Sequence, residues 1–168
     1  RTITFPDADV TLGAATLAPA FSVYRGTATT TISDAVETKV ILDTEAFDSN
    51  SAFDPTTNYR FTVPAGEGGK YLISAGIQFL ASGNVRNAQC VVKKDGSEVG
   101  SGVWAPTASG SSMVVYYFFI NGAWMLNVAE AEYIELFIYL DVDAGIVQYN
   151  GHATAQRTWM SGFKLVGI

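Results

Sequence analysis

From Ala20 onward, apolar and polar residues are arranged with the two-residue alternation, or the short apolar runs, of β-strands. Residues 21–24, 38–42, 59–63, 69–80, 87–93, 113–120, 133–140 and 158–166 read this way. The turns between them carry Asp95-Gly96, Asn121-Gly122, Ala144-Gly145 and Asn150-Gly151, pairs that favour positive φ or tight reversal. No segment holds a sustained helical apolar period. Residues 123–131 are ambiguous, and their setting between strands reads as a loop or short turn. Many short strands without intervening helices predict an all-β, antiparallel sandwich or barrel.

Two of these strands are apolar on both faces: Met113-Val114-Val115-Tyr116-Tyr117-Phe118-Phe119-Ile120, and, apart from Glu135, Tyr133-Ile134-Glu135-Leu136-Phe137-Ile138-Tyr139-Leu140. One face of each must meet the core, so the other needs cover as well. Another subunit is the expected cover; a long overlying loop is the alternative.

Residues 1–19 look different. Thr2-Ile3-Thr4-Phe5 and Val10-Thr11-Leu12-Gly13 are short alternating pieces around a Pro6-Asp7-Ala8-Asp9 turn, and a small-residue connector follows them. Such a piece cannot build a core, so residues 1–19 are expected to be a linker, stalk or anchor, and residues 20–168 the folded head. The opening at Arg1 is expected to reflect a fragment or processed product.

Composition sharpens this picture. A chain of 168 residues is one domain, large enough to bury about 70% of its extended surface. Hydrophobic residues make up 48% and charged ones 15%, which again points to apolar surface covered by partners. A net charge of −6 argues against nucleic-acid binding through a basic face. Cys90 is the sole cysteine, so no intrachain disulfide forms, in keeping with assembly in a reducing cytoplasm. No run reaches the roughly 18 apolar residues of a membrane span, and no membrane insertion is expected.

One stretch carries more specific information. Phe53-Asp54-Pro55-Thr56-Thr57-Asn58-Tyr59-Arg60-Phe61-Thr62-Val63-Pro64, followed by Gly69-Lys70-Tyr71, resembles the central signature of the C1q/TNF-like domain family. Ala20-Phe21-Ser22-Val23-Tyr24-Arg25, Lys39-Val40-Ile41-Leu42-Asp43, Lys93-Lys94-Asp95-Gly96 and Ser161-Gly162-Phe163-Lys164-Leu165 resemble further family phrases in the same order. The resemblance spans residues 20–168 and implies a jelly-roll sandwich, a homotrimer with one sheet lining the threefold axis, and a non-enzymatic binding or structural module. It further implies that Phe21, Tyr24, Tyr117, Phe119, Trp159 and Phe163 serve the core or the subunit contacts. A one-residue change of register would exchange the two roles. The chain departs from the family pattern where Asn121-Gly122 and Ala129-Glu130-Ala131 stand in place of a Gly-Asp turn, and where Gly66-Glu67-Gly68 stretches a corner. These departures fit a phage or bacterial branch, and Thr2-Ile3-Thr4-Phe5-Pro6-Asp7-Ala8-Asp9-Val10-Thr11-Leu12 is similar to a phrase found ahead of bacteriophage tail-fibre heads.

Candidate chemistry is sparse. His152 is the sole histidine and stands beside Gly151 in a loop; it reads as structural or as a ligand contact, and no Gly-x-Ser-x-Gly elbow accompanies it. Cys90 reads as a buried, inert thiol. No cofactor and no metal site is expected. Asp141-Val142-Asp143-Ala144-Gly145 opens like a calcium loop, but His152 occupies the position of the closing Glu, which leaves a looser carboxylate site beside a plain acidic turn. Trp104 lies in a small, polar stretch, where it either stacks on a sugar or partner or plugs the edge of the sandwich. Asn84, Arg86 and Tyr149 are its candidate companions at loop tips.

The expected function is therefore that of a trimeric bacteriophage virion protein, a tail-fibre or receptor-binding head that recognises a host surface glycan or protein. The alternative is a capsid decoration protein anchored to other virion proteins by residues 1–19. A polysaccharide hydrolase using loop carboxylates stands behind both.

Overall fold

The computed structural model describes residues 18–104, 113–114 and 117–166. Of the expected linker, residues 1–17 lie outside the described residues, as do residues 105–112 after Trp104. Among the described residues the chain forms strands and turns and no helix. In chain order the strands are β1 (Ala20–Tyr24), β2 (Thr30–Thr31), β3 (Thr38–Lys39), β4 (Thr44–Asp48), β5 (Phe53–Asp54), β6 (Arg60–Thr62), β7 (Gly69–Ala81), β8 (Asn84–Lys94), β9 (Ser97–Trp104), β10 (Met113–Val114), β11 (Tyr117–Val128), β12 (Tyr133–Val142), β13 (Val147–Tyr149) and β14 (Trp159–Lys164).

Two seven-stranded sheets result, and every pairing is antiparallel. In the first, β7 is the spine. β11 runs along one side of it, while β14 and β13 share the other; β1 and β4 continue beyond β14, and β2 beyond β13. In the second, β8 and β12 are the centre, with β9 and β10 beyond β8, and β3 and β6 beyond β12. The layers are a jelly-roll sandwich, as the order of phrases in the sequence implies.

Strict alternation builds the core. Tyr71, Ile73, Ala75, Ile77, Phe79 and Ala81 all point inward from β7 and are fully buried. Ile134, Leu136, Ile138 and Leu140 answer from β12. At one end the sheets are pinned by aromatic rings: Phe61 of the second sheet stacks on Phe21 of the first at 4.4 Å between centroids and tilts against Tyr71 at 5.7 Å. Burial and nearby Glu67 push the Tyr71 phenol up to about 12, so it stays neutral and donates to Glu67 O at 2.7 Å. Asp95 and Gly96 take φ of 48° and 79°, the left-handed pair a two-residue hairpin requires, and they join β8 to β9 as the sequence predicts.

The expected turn at Asn121-Gly122 is not one. Both residues lie in mid-β11, opposite Gly76 and Ala75 of β7, and residues 123–128, read above as loop, continue the same strand. The unbroken ladder with β7, from Gly69 to Leu80, outweighs the local turn preference of the pair. The chain reverses instead at Ala129-Glu130-Ala131, with Ala131 at φ 66°. Residues 100–104, in the small, polar stretch that holds Trp104, belong to β9.

The signature segment owes its shape to Asp54. Its carboxylate accepts hydrogen bonds from Thr56 N, Thr57 N, Asn58 N and Asn58 Nδ2 at 2.8–3.1 Å, closing the turn from β5 to β6. Hydrogen bonds from Thr57 and Thr56 hold the Asp54 carboxyl well below its ordinary value of 3.8. A depressed folded-state pKa stabilises the fold above the unfolded value, and that contribution is lost as pH falls through the lowered one. The stability gap between the wild type and Asp54→Asn is therefore expected to narrow from about pH 6 to about pH 2. Denaturant midpoints across that range check it; a constant gap would exclude the carboxylate's charge as the cause.

Candidate interaction surface

The register of β7, β11 and β14 decides which aromatic residues face outward. Tyr117, Phe119, Asn121, Ala123 and Met125 of β11 stand opposite Leu80, Gln78, Gly76, Ser74 and Leu72 of β7. Across β7, Trp159, Ser161 and Phe163 of β14 pair with Gly76, Ser74 and Leu72. Tyr24 and Ser22 of β1 extend the rows, and Phe47 of β4 lies opposite Ser22. The result is a broad outward face without an acid or base on β7 from 72 to 80, β11 from 117 to 125, or β14 from 159 to 163. Trp159 can lie flat across it because Gly76 has no side chain: a Cβ there would stand 2.7 Å from the indole nitrogen.

Large apolar side chains on this face remain accessible. Tyr117 is 51% exposed, Phe119 53%, Met125 77% and Phe163 46%. Each is worth about 1.5–3 kcal/mol if fully removed from water. Several of the polar groups among them already have partners within the chain. Ser74 Oγ and Ser161 Oγ are 2.9 Å apart, Gln78 Oε1 accepts from Asn150 Nδ2 at 2.7 Å, and the Tyr24 hydroxyl donates to Ala153 O at 3.3 Å. Desolvating the face therefore strands few hydrogen-bonding groups.

Of the six residues expected to serve core or subunit contacts, Phe21 is in the core and the other five point outward. The expectation for β12 needs correcting. At Tyr133 and Phe137 its second face is covered by the chain's own cations. The Arg60 guanidinium lies 4.1 Å from the Tyr133 ring, and Lys93 Nζ lies 4.3 Å from the Phe137 ring, with Lys39 beside it. Lys39 and Lys93 are in turn paired with Glu135 and Glu37. Glu135, the polar interruption among residues 133–140, is the anchor of this cover.

The residues proposed for ligand contact do not form one site. Asn84 and Arg86 share one end of β8. Asn84 Nδ2 donates to Asp143 Oδ2 at 2.6 Å, and Arg86 stands 3.7 Å from Asp141. The hydrogen bonds from Asn84 lower the Asp143 pKa, and both carboxylates of the calcium-like phrase are thereby engaged. Trp104 pairs through its backbone with Ala88, at the same end of the second sheet; its side chain lies outside the described residues. Tyr149 is not at a loop tip: it belongs to β13, is fully buried, and its hydroxyl accepts from Ile41 N at 3.1 Å. His152 stands apart, with Nδ1 accepting from Thr154 N and Ala155 N at 3.2 and 3.1 Å, as a cap on its own turn. Burial pushes the Cys90 thiol up to about 12, so it carries no thiolate chemistry near neutral pH.

Arg25 and Asp43 hold the chain where β1 leads toward β2. Asp43 accepts from Arg25 Nη1 at 2.7 Å, Gly26 N at 2.7 Å and Thr27 Oγ1 at 2.8 Å. Burial opposes its charge, and these bonds together outweigh it and lower the pKa.

The architecture is shared with several solved structures. The globular domain of zebrafish complement 1qA protein aligns over 89% of this chain and 99% of its own, with a TM-score of 0.56 and 16% identity. Eiger TNF from S. frugiperda aligns over 90% and 95%, with 0.63 and 14%. Murine APRIL aligns over 88% and 99%, with 0.61 and 12%. No protein-family model and no curated protein matches the sequence. At such identities the likeness concerns the fold alone: this is a C1q/TNF-type jelly roll.

Proposed function

We propose that this protein is a homotrimeric, non-enzymatic binding module, the head of a bacteriophage tail fibre or receptor-binding protein. The observation that carries the trimer is the uncharged, aromatic outward face of the first sheet, where Ser74, Ser161 and Gln78 already have partners within the chain. The trimeric habit of C1q/TNF-type domains supports the same face as the interface. The virion role draws on the tail-fibre-like phrase in residues 2–12. Three identical heads on one axis would recognise a repetitive host surface by multivalency, each contact being weak.

Sedimentation velocity of the 168-residue chain tests the assembly: a single species of three times its 17.9 kDa is expected, and a monomer at micromolar concentration would refute it. Immunogold microscopy of virions with an antibody to the same chain tests the location. Label at the tail end agrees with host recognition, whereas label over the capsid assigns the chain to decoration of the shell.

A further inference from the structure

The loop from Asn150 to Thr158 joins β13 to β14 and is sewn down at both ends. At its start Asn150 N donates to Gln78 O at 2.9 Å, and His152 N to Arg25 O at 3.0 Å. At its end Arg25 N donates to Thr158 O at 2.8 Å, and Gln78 N to Arg157 O at 3.1 Å. The tip between these anchors is in no ladder. It is closed by the His152 ring, whose Nδ1 accepts from Thr154 N at 3.2 Å and from Ala155 N at 3.1 Å. The imidazole does here what the side-chain oxygen of Asn or Asp does when it caps the amides that follow it.

That geometry requires a lone pair on Nδ1. A neutral imidazole supplies one; an imidazolium donates from both nitrogens and accepts at neither. A proton on Nδ1 would therefore face two amide hydrogens. Thr154 Oγ1, 3.4 Å from Nδ1, can receive the new hydrogen, but both amides still lose their acceptor. Imidazole is the side chain that ordinarily changes charge between about pH 5 and 8. His152 is only half-buried, so solvent has access to it.

The titratable and charged groups on the elements that meet the loop are Tyr24 and Arg25 at the end of β1, Asp43 ahead of β4, and Arg157 in the loop itself. Asp43 is taken by Arg25, Gly26 and Thr27. β7 presents the neutral Gln78. Among the described residues no carboxylate pairs with His152.

The tip also reaches the outward face of the first sheet. Ala153 O accepts from the Tyr24 hydroxyl at 3.3 Å, and Tyr24 stands opposite Trp159 in the β1–β14 ladder. Opening the tip takes that acceptor away. Tyr24 would then bring an unpaired hydroxyl to a face that assembly desolvates, which is costly.

We infer that His152 is a proton-operated latch: its neutral ring holds the loop tip closed beside Tyr24, and its protonation opens the tip and loosens the outward face. The latch is closed where the ring is neutral and opens as pH falls. Its effect on assembly rests on the trimer proposed above; the latch itself does not. Amide NMR spectra of the intact chain between about pH 7.5 and about pH 5 provide the test. The Thr154 and Ala155 amide signals are expected to shift with the midpoint of the His152 ring protons. Their hydrogen exchange, corrected for its intrinsic pH dependence, should quicken about 10-fold or more. His152→Asn keeps an oxygen at the cap and does not titrate, so its amides should hold their positions. Sedimentation velocity of the same samples reads the assembly. Dissociation of the wild-type trimer should rise about 10-fold or more at the lower pH, one lost hydrogen bond per copy, and His152→Asn should be indifferent. Amides that do not follow the His152 ring, or that move equally in His152→Asn, would overturn the latch. Titrating amides in a trimer that ignores pH would overturn its link to assembly. A monomer at every pH would refute the trimer and that link, while the amides still decide the latch.

Discussion

Replacing Phe119 and Met125 together by Asp is expected to convert the assembly to folded monomers. Both residues point outward from β11, at 53% and 77% exposure, so neither holds the sandwich together. In the proposed trimer the pair recurs three times. Loss of their burial removes about 1.5–3 kcal/mol at each side chain. A carboxylate placed in the desolvated position of Phe119 adds several kcal/mol more, because the β7 and β11 residues around it carry no charge. Summed over three interfaces, the change exceeds what a micromolar assembly can absorb. Size-exclusion chromatography with light scattering reads the result, and circular dichroism shows that the strands persist. A double variant that stays trimeric would move the interface to another face, and β12 offers no ready substitute since Lys39, Lys93 and Arg60 already cover Tyr133 and Phe137.

Phe61→Ala is expected to act on the other side of the sandwich, lowering stability by about 3–5 kcal/mol. Phe61 is 1% exposed and stacks on Phe21 at 4.4 Å. Truncation would empty the space between Phe21, Phe53 and Tyr71, and residues from three separate strands cannot collapse onto it without moving the ladders. Urea unfolding of the monomeric Phe119/Met125 variant, with and without Phe61→Ala, measures the loss without interference from assembly. A change under about 1 kcal/mol would mean that the ring cluster is not what joins the sheets at this end. By contrast, Phe137→Ala on the outer side of β12 should cost less, since the alkyl stems of Lys39 and Lys93 can settle into the gap.

How much of this was readable in the chain itself varies with the kind of interaction involved. The signature from Phe53 to Tyr71 was legible because its determinants are local: Asp54 caps the following three amides, and the Pro64–Gly69 corner turns the chain within a few residues. Asp95-Gly96 was legible for the same reason. Asn121-Gly122 misled because an equally good local turn pair was overridden by twelve residues of pairing with β7, a partner some forty-five positions earlier in the chain. Tyr149 misled in a related way. Next to Asn150-Gly151 it looks like a loop residue, and only the pairing of β13 with Phe79 and Ala81 of β7 turns its ring into the core.

By itself the sequence determined the class of architecture: the two-residue period, the left-handed turn pairs and the order of phrases from Ala20 to Leu165 allow an antiparallel sandwich and little else. It determined as well that some strand would need cover on both faces, because apolar residues at consecutive positions of a strand cannot all face one core. Which strand, and covered by what, was left to the tertiary structure. Lys39 lies nearly a hundred residues from Phe137 and Glu135, and Lys93 some forty; their stems close over β12 only once β3 and β8 flank it. β11, with β7 on one side, keeps Tyr117, Phe119 and Met125 at the surface, and no cation of the described residues stacks on Phe119. Period is a property of the local chain, whereas the phase of that period, and the neighbours that meet it, come from register between distant segments.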